Sequence, residues 1–151
     1  MYEGRLIHLA QKISDVMSKD VICCSPEQSV KDVAELMSTH NIGSIPVTDN
    51  GRFEGIITDR DITLRSTAKG KDSDQMTVFD CMSSHTLTSG TPDMDVQEAA
   101  RLMADHQIRR LPIVENGRVI GIVSLGDLAT ESQYDHEAEK ALSGISAQGV
   151  H

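Results

Sequence analysis

The chain has 151 residues and a formal net charge of −9, from 14 Lys and Arg against 23 Asp and Glu. That length suits one compact domain, and that charge argues against nucleic acid or an anionic membrane surface as the main partner, because both reward clustered Lys and Arg. No apolar run is long enough to span a bilayer, and Met1-Tyr2-Glu3-Gly4-Arg5 lacks the apolar core and cleavage pattern of a secretory signal.

Residues 6–17 carry Leu6, Leu9, Ala10, Ile13, Val16 and Met17 on a helical period, which predicts a lead-in amphipathic helix. Val21-Ile22-Cys23-Cys24, stopped by Ser25-Pro26, suits a short strand. Ser29, three residues before Asp32, resembles a helix N-cap, and Val30, Val33, Ala34 and Met37 then give one buried face. His40-Asn41 ends that helix. Ile45-Pro46-Val47-Thr48 is the next strand, and its proline should lie where no backbone donor is needed. Asn50-Gly51 signals a type I′ hairpin, residues 53–57 return as the partner strand, and a helix runs from Thr58 to about Thr67. Residues 69–75 read as a polar linker.

The order then repeats. Asp80-Cys81-Met82-Ser83 echoes Asp15-Val16-Met17-Ser18, and Thr86-Leu87-Thr88 takes the place of the short strand. Asp95 and Glu98 form a capping pair ahead of Val96, Ala99, Ala100 and Met103. His106, Pro112 and Asn116-Gly117-Arg118 fall on His40, Pro46 and Asn50-Gly51-Arg52. At an offset of 66 residues (121 − 55), positions 26–61 and 92–127 are identical at 14 of 36 places. Turns, caps and core positions match together. In the tail after Ala129, residues 132–142 read as a short helix.

The repeat centres on Gly55-Ile56-Ile57-Thr58-Asp59-Arg60-Asp61 and Gly121-Ile122-Val123-Ser124-Leu125-Gly126-Asp127. Each runs from a glycine through a strand to a hydroxyl residue, with an aspartate three positions on. Thr58/Asp61 and Ser124/Asp127 therefore have the form of helix capping boxes, each cap contributing on the order of 1 kcal/mol. Two marginal halves, each strand–helix–strand–strand–helix, would bury their apolar faces by packing sheet to sheet about a pseudo-twofold axis, which would leave two equivalent clefts for small ligands.

These residues resemble a tandem pair of cystathionine-β-synthase (CBS) domains. The resemblance rests on Asp-Val-Met-Ser (15–18), His-Asn-Ile-Gly-Ser-Ile-Pro-Val (40–47) and Gly-Ile-Ile-Thr-Asp-Arg-Asp-Ile (55–62), and on their second copies at 80–83, 106–114 and 121–128. It covers about residues 12–130. It implies an α+β fold of two β-α-β-β-α repeats with an N-terminal lead-in, divided as 1–11 lead-in, 12–68 first repeat, 69–75 linker, 76–130 second repeat and 131–151 tail. It also implies an adenine nucleotide or S-adenosylmethionine as regulatory ligand, a homodimer formed through the module's helices, and a sensing role without chemistry or a required cofactor, acting on a regulated protein partner.

Within that resemblance the two boxes gain a second reading, because a carboxylate can accept both hydroxyl protons of a ribose diol. The second cleft is expected to use Arg109, Arg110, Ile122, Ser124 and Asp127, with Ile22, Cys23, Ser25 and Pro26 against the adenine. The first is expected to use Gly43, Ser44, Ile56, Thr58, Arg60 and Asp61, with Thr86, Leu87 and Thr88 opposite. Arginines precede the strand only in the second repeat, so that copy is the better phosphate site. A capping role and ribose contact can coexist. His40 and His106 fit helix-end capping of the last carbonyls. Cys23 and Cys24 fit packing better than redox chemistry, and three cysteines, two of them adjacent, fit a reducing cytoplasm better than a disulfide framework. No metal-ligand spacing or nucleophile elbow is present in the sequence. With only Tyr2, Phe53, Phe79 and Tyr134 as aromatics, no surface for stacking bases is expected. The leading expectation is an adenosyl-binding sensor that is not an enzyme. The alternative is a stress-related interaction scaffold with vestigial clefts.

Overall fold

A computed structural model of the chain describes residues 11–83 and 88–129. They form a mixed α/β structure whose four strands make an antiparallel sheet in the order β1-β2-β4-β3, with helices between them. The backbone divides into two compact units, and neither is a contiguous repeat. The N-repeat unit comprises described residues 22–83 and 116–119; the C-repeat unit comprises 11–21, 88–115 and 120–129.

In the N-repeat unit, α1 (Val30–His40) starts where the Ser29 side chain accepts the Asp32 N–H, 3.1 Å. Val30, Val33 and Met37 are buried, and the helix stops at Asn41 in the left-handed region, φ 53°. Strands β1 (Ser44–Asp49) and β2 (Arg52–Thr58) pair from Ser44↔Thr58 to Asp49↔Arg52, with an irregularity at Val47/Thr48. The turn has Asn50 at φ 52° and Gly51 at φ 86°, the positive pair that a type I′ hairpin demands. Arg118, the first residue of β4, pairs antiparallel with Arg52.

Pro46 shows why its strand tolerates proline. Cys24 N–H donates to Pro46 O (3.0 Å) and Thr48 N–H donates to Cys24 O (2.8 Å), a single parallel bridge on the outer side of β1. The missing Pro46 donor faces that side, beyond the bridge, where no ladder requires it. The expected strand around residues 21–24 is thus reduced to this bridge.

Helix α2 (Asp59–Ile62) follows β2 and widens into a π turn, Thr63–Thr67, before the chain reaches α3 (Val78–Cys81). The α3 segment closes the unit. Val78 N–H donates to Gln28 O and Phe79 N–H to Pro26 O; Ser83 then bridges Ile56 through Ser83 N–H to Ile56 O, 3.1 Å. Val78, Cys81 and Met82 complete a core with Cys24, Val33, Ile45, Val47 and Ile57.

The C-repeat unit has the same plan. Helix α4 (Val96–His106) buries Val96, Ala99, Ala100 and Met103 and ends at Gln107, φ 56°. Asp95 caps it by accepting the Gln97 N–H at 2.7 Å, one position earlier than the expected box with Glu98. Strands β3 (Arg110–Glu115) and β4 (Arg118–Ser124) lead into α5 (Leu125–Ala129). Gly90 bridges Ile113 as Cys24 bridges Val47.

The lead-in differs from its expectation. Residues 6–10 lie outside the described residues, and the helical period continues only as a single 3-10 turn, Ile13–Asp15. Two donors that a longer helix would use locally go elsewhere: Ile13 N–H to Met94 O and Ser14 N–H to Pro92 O. Ile13 is fully buried with Val96, Leu111, Ile113 and Val123. Burial of one isoleucine and two long-range hydrogen bonds override a weak helical preference. Ser18 then bridges Ile122 in both directions at 2.9 Å, the counterpart of Ser83 and Ile56. Each core is therefore closed by the short segment that precedes the other repeat in sequence.

The glycines opening the two repeated stretches have a packing reason. A Cβ on Gly55 would lie 2.8 Å from Ser83 O, and one on Gly121 would meet the Met17 side chain and lie 3.1 Å from Ser18 O. The Met-Ser pairs at 17–18 and 82–83 are what these glycines admit.

Candidate functional site

Both repeated stretches form complete capping boxes. In the N-repeat unit Thr58 N–H donates to Asp61 Oδ2 (2.9 Å) and Asp61 N–H donates to Thr58 Oγ1 (3.0 Å). In the C-repeat unit Ser124 N–H donates to Asp127 Oδ2 (2.9 Å) and Asp127 N–H to Ser124 Oγ (3.0 Å). Each box holds its aspartate against the end of a strand, with the carboxylate half-buried and fixed in orientation.

The second copy is brought close to its arginines. Leu125 N–H donates to Arg109 O at 3.0 Å, so the entry to β3 and the turn after β4 are stitched together. Arg109 is exposed and Arg110 half-buried. Arg110 Nε is buried and has no hydrogen-bond partner among the described residues. A desolvated guanidinium nitrogen without an acceptor is costly, and an anion is its natural complement. Ile122 stands in the same unit, bridged to Ser18.

The first copy differs. Gly43 O accepts the Asp59 N–H at 2.9 Å and Ser44 pairs with Thr58, so Gly43, Ser44, Thr58 and Asp61 share one corner. Ile56 lies between Pro46 and Ser83 in the sheet. Arg60 is exposed, and its N–H donates to Asp59 Oδ1, 2.8 Å. Asp61 has partners beyond its own box. Oδ1 accepts the Ser83 hydroxyl at 3.3 Å and lies 3.9 Å from Arg65 NH1, which also donates to Cys81 O (3.0 Å) and Met82 O (3.1 Å). Arg65, Ser83 and Asp59 were not among the expected site residues. Arg65 was readable as the i+4 cation of Asp61 on a helix; Ser83 was not, because its contact spans 22 residues.

The other expected residues fall as follows. Ile22, Cys23, Ser25 and Pro26 belong to the N-repeat unit, whereas Arg109, Arg110, Ile122, Ser124 and Asp127 belong to the C-repeat unit. Ser25 N–H donates to Gln28 Oε1, 2.8 Å, and Pro26 O accepts from Phe79. Thr86 and Leu87 lie outside the described residues. Thr88 is in the C-repeat unit, with its hydroxyl 3.5 Å from His106 Nδ1, so this imidazole meets a side chain at the helix end.

Burial pushes the Cys24 thiol up to about 12, with the neighbouring Cys23 adding to the shift. Cys23 and Cys81 are also raised, chiefly by burial. All three are free, and these environments disfavour the reactive thiolate. Among the described residues no group of three or more His, Cys, Asp or Glu is placed to hold a metal ion, and no helix is long and apolar enough to cross a membrane.

The doubled strand–turn–box arrangement, with each core closed by the other repeat's lead-in, defines a tandem CBS-domain pair. The family model for the CBS domain matches residues 13–66 and 78–134, and the chain belongs to that family. It is 47% identical over 139 residues to the CBS domain-containing protein YhcV of Bacillus subtilis, covering 92% of this chain and 98% of that one. The crystal structure of Hypoxic Response Protein I with two coordinated zinc ions superposes with a TM-score of 0.73 at 30% identity, covering 80% of this chain and 98% of that one. A CBS-domain pair solved in complex with 5′-methylthioadenosine and S-adenosyl-L-methionine superposes with a TM-score of 0.71 at 28% identity, covering 82% and 97%.

Proposed function

We propose that the chain is a regulatory module without catalytic chemistry that binds an adenosyl ligand. Asp127 and Ser124 take the ribose hydroxyls, and Arg109 and Arg110 take phosphate. The observation that carries this reading is the buried Arg110 Nε, without a hydrogen-bond partner among the described residues, in the unit where the turn after β4 is joined to Arg109 by a backbone hydrogen bond. The adenosyl ligands held by the solved CBS-domain pair support the choice of ligand class. Gly43, Ser44, Ile56, Thr58, Arg60 and Asp61, all in the N-repeat unit, are assigned to a second, unequal site. Regulation follows if the ligand binds one conformation of the module better than another, since only differential affinity shifts an equilibrium.

Two further elements belong to this reading. A homodimer through the helices is supported by exposed Phe79 (69% accessible) on α3 and Leu64 (46%) on the π turn, both large apolar side chains left in solvent. A reducing, cytoplasmic compartment is supported by three free cysteines.

One observation favours the scaffold reading for the first repeat. Asp61 already serves Thr58, Ser83 and Arg65, so a ribose at this copy would share the carboxylate with three partners. Calorimetric titration with AMP, ADP, ATP and S-adenosylmethionine separates the readings. Saturable binding weakened by Arg110→Gln supports the sensor. Silence across the series, with ligand-free protein, supports the scaffold.

A further inference from the structure

The two boxes are built alike, but the residue that follows each hydroxyl is not. In the N-repeat unit it is Asp59, whose N–H donates to Gly43 O (2.9 Å). The Asp59 carboxylate lies directly over Gly43: a Cβ at that position would stand 3.0 Å from Oδ2 and 3.5 Å from Oδ1. Oδ1 is held in place by the Arg60 N–H at 2.8 Å. In the C-repeat unit the same backbone bond joins Leu125 N–H to Arg109 O (3.0 Å), and Leu125 is buried. A carboxylate over a glycine in one unit is thus replaced by an aliphatic side chain beside an arginine in the other.

The surrounding charges do not cancel this difference. In the N-repeat unit Asp61 is offset by Arg65 at 3.9 Å, leaving Asp59 and the exposed Arg60 as neighbouring opposite charges. In the C-repeat unit the exposed Arg109 and the half-buried Arg110 stand at the start of β3. At the point where β1 begins, a phosphate would meet the fixed Asp59 carboxylate; at the start of β3 it would meet guanidinium groups. Like charges at such range repel and opposite charges attract, with the sign set by the side chain.

We propose that Asp59 makes the N-repeat site selective for adenosyl ligands whose 5′ substituent is neutral or cationic, such as a thioether or a sulfonium, while the C-repeat site takes the nucleoside phosphates. This rests on the adenosyl reading above and assigns a ligand class to each copy. Asp59 acts as a specificity determinant: it excludes phosphate and attracts positive charge, and the ribose remains with Asp61 and Thr58.

The test is calorimetric titration of the full chain with AMP, 5′-methylthioadenosine and S-adenosylmethionine. It is run on the wild type, on Asp127→Asn to disable the C-repeat site, and on Asp127→Asn with Asp59→Asn. Asparagine keeps the size of each side chain and an acceptor oxygen, so the local turns are retained. In the Asp127→Asn protein, the neutral and cationic ligands should bind more tightly than AMP. Adding Asp59→Asn should strengthen AMP by about fivefold and weaken S-adenosylmethionine by a similar factor, the scale of one exposed unit charge. The neutral thioether should be unchanged, which controls for damage to the fold. The inference is overturned if AMP binds the Asp127→Asn protein as well as the thioether does, or if the ratio of AMP to S-adenosylmethionine affinity is unmoved by Asp59→Asn. Loss of all binding in Asp127→Asn also overturns it, since the N-repeat site would then take no ligand. Absence of binding to the wild type overturns the adenosyl reading itself.

Discussion

Replacing Gly55 by alanine tests how the N-repeat core is closed. The added methyl group would stand 2.8 Å from Ser83 O and 3.4 Å from Met82 Cε. The nearer obstacle is backbone, and it belongs to the Ile56↔Ser83 bridge, so it can retreat only by parting that bridge. The φ of Gly55 is 158°, a backbone conformation that L side chains rarely adopt, so conformational strain of about 1–3 kcal/mol adds to the steric cost. Forcing a methylene-sized group into a packed site costs about 1–3 kcal/mol. The loss of glycine's unfolded-state entropy returns about 0.4–1 kcal/mol. A net destabilisation of about 2–4 kcal/mol should lower the thermal midpoint, at roughly 2–4 °C per kcal/mol for a chain of this size. Urea unfolding followed by circular dichroism measures it, with an unchanged m value as the check on two-state behaviour. Gly126→Ala is the control, because its Cβ would meet only Ser124 Oγ at an ordinary 3.5 Å. Equal stability of Gly55→Ala and the wild type would refute the account of why this stretch begins with glycine.

Two further predictions concern buried groups. Ser66 is fully buried in the π turn and its hydroxyl has no hydrogen-bond partner among the described residues. Ser66→Ala removes that unpaired group and should raise stability by up to about 1 kcal/mol; a clear loss in urea unfolding would show that the hydroxyl is satisfied in solution. Cys24 bears on alkaline stability. Its thiol is raised from the ordinary 9.0 to about 12, so above pH 9 the unfolded state releases a proton that the folded state keeps. The stabilisation from the raised Cys24 pKa is present below pH 9 and is lost as pH rises toward 12. The slope approaches about 1.4 kcal/mol per pH unit. Cys24→Ala should flatten this part of the pH–stability curve, and an unaltered curve would count against the burial of the thiol.

How much of this was readable before the structure depended on the range of each interaction. The capping of α1 by Ser29, both Thr/Ser–Asp boxes and both Asn-Gly turns involve residues within a few positions of one another, and each appears where its pattern placed it. The lead-in was misleading for the opposite reason. Ile13 and Ser14 spend their N–H groups on Met94 and Pro92, partners far along the chain that no local period encodes. The same limit hid the exchange of lead-in segments and the contacts of Ser83 and Arg65 with Asp61. The Arg109-Arg110 pair was visible as charge, but the burial of Arg110 Nε is a property of packing. Asp59 lies inside the box without taking part in it, and its position over Gly43 depends on a pairing 16 residues apart (59 − 43).

The central claim is that the Ser124–Asp127 box and its arginines hold an adenosyl ligand, and thermal stability with and without AMP tests it most directly. A ligand that binds only the folded state stabilises it by about 2.7 kcal/mol at 100 times its dissociation constant, a readily measured rise in unfolding midpoint. The account predicts that rise for the wild type, with a clear reduction in Arg110→Gln and in Asp127→Asn at the same AMP concentration. A wild-type midpoint unmoved by saturating AMP, or a rise of equal size in both variants, would contradict it.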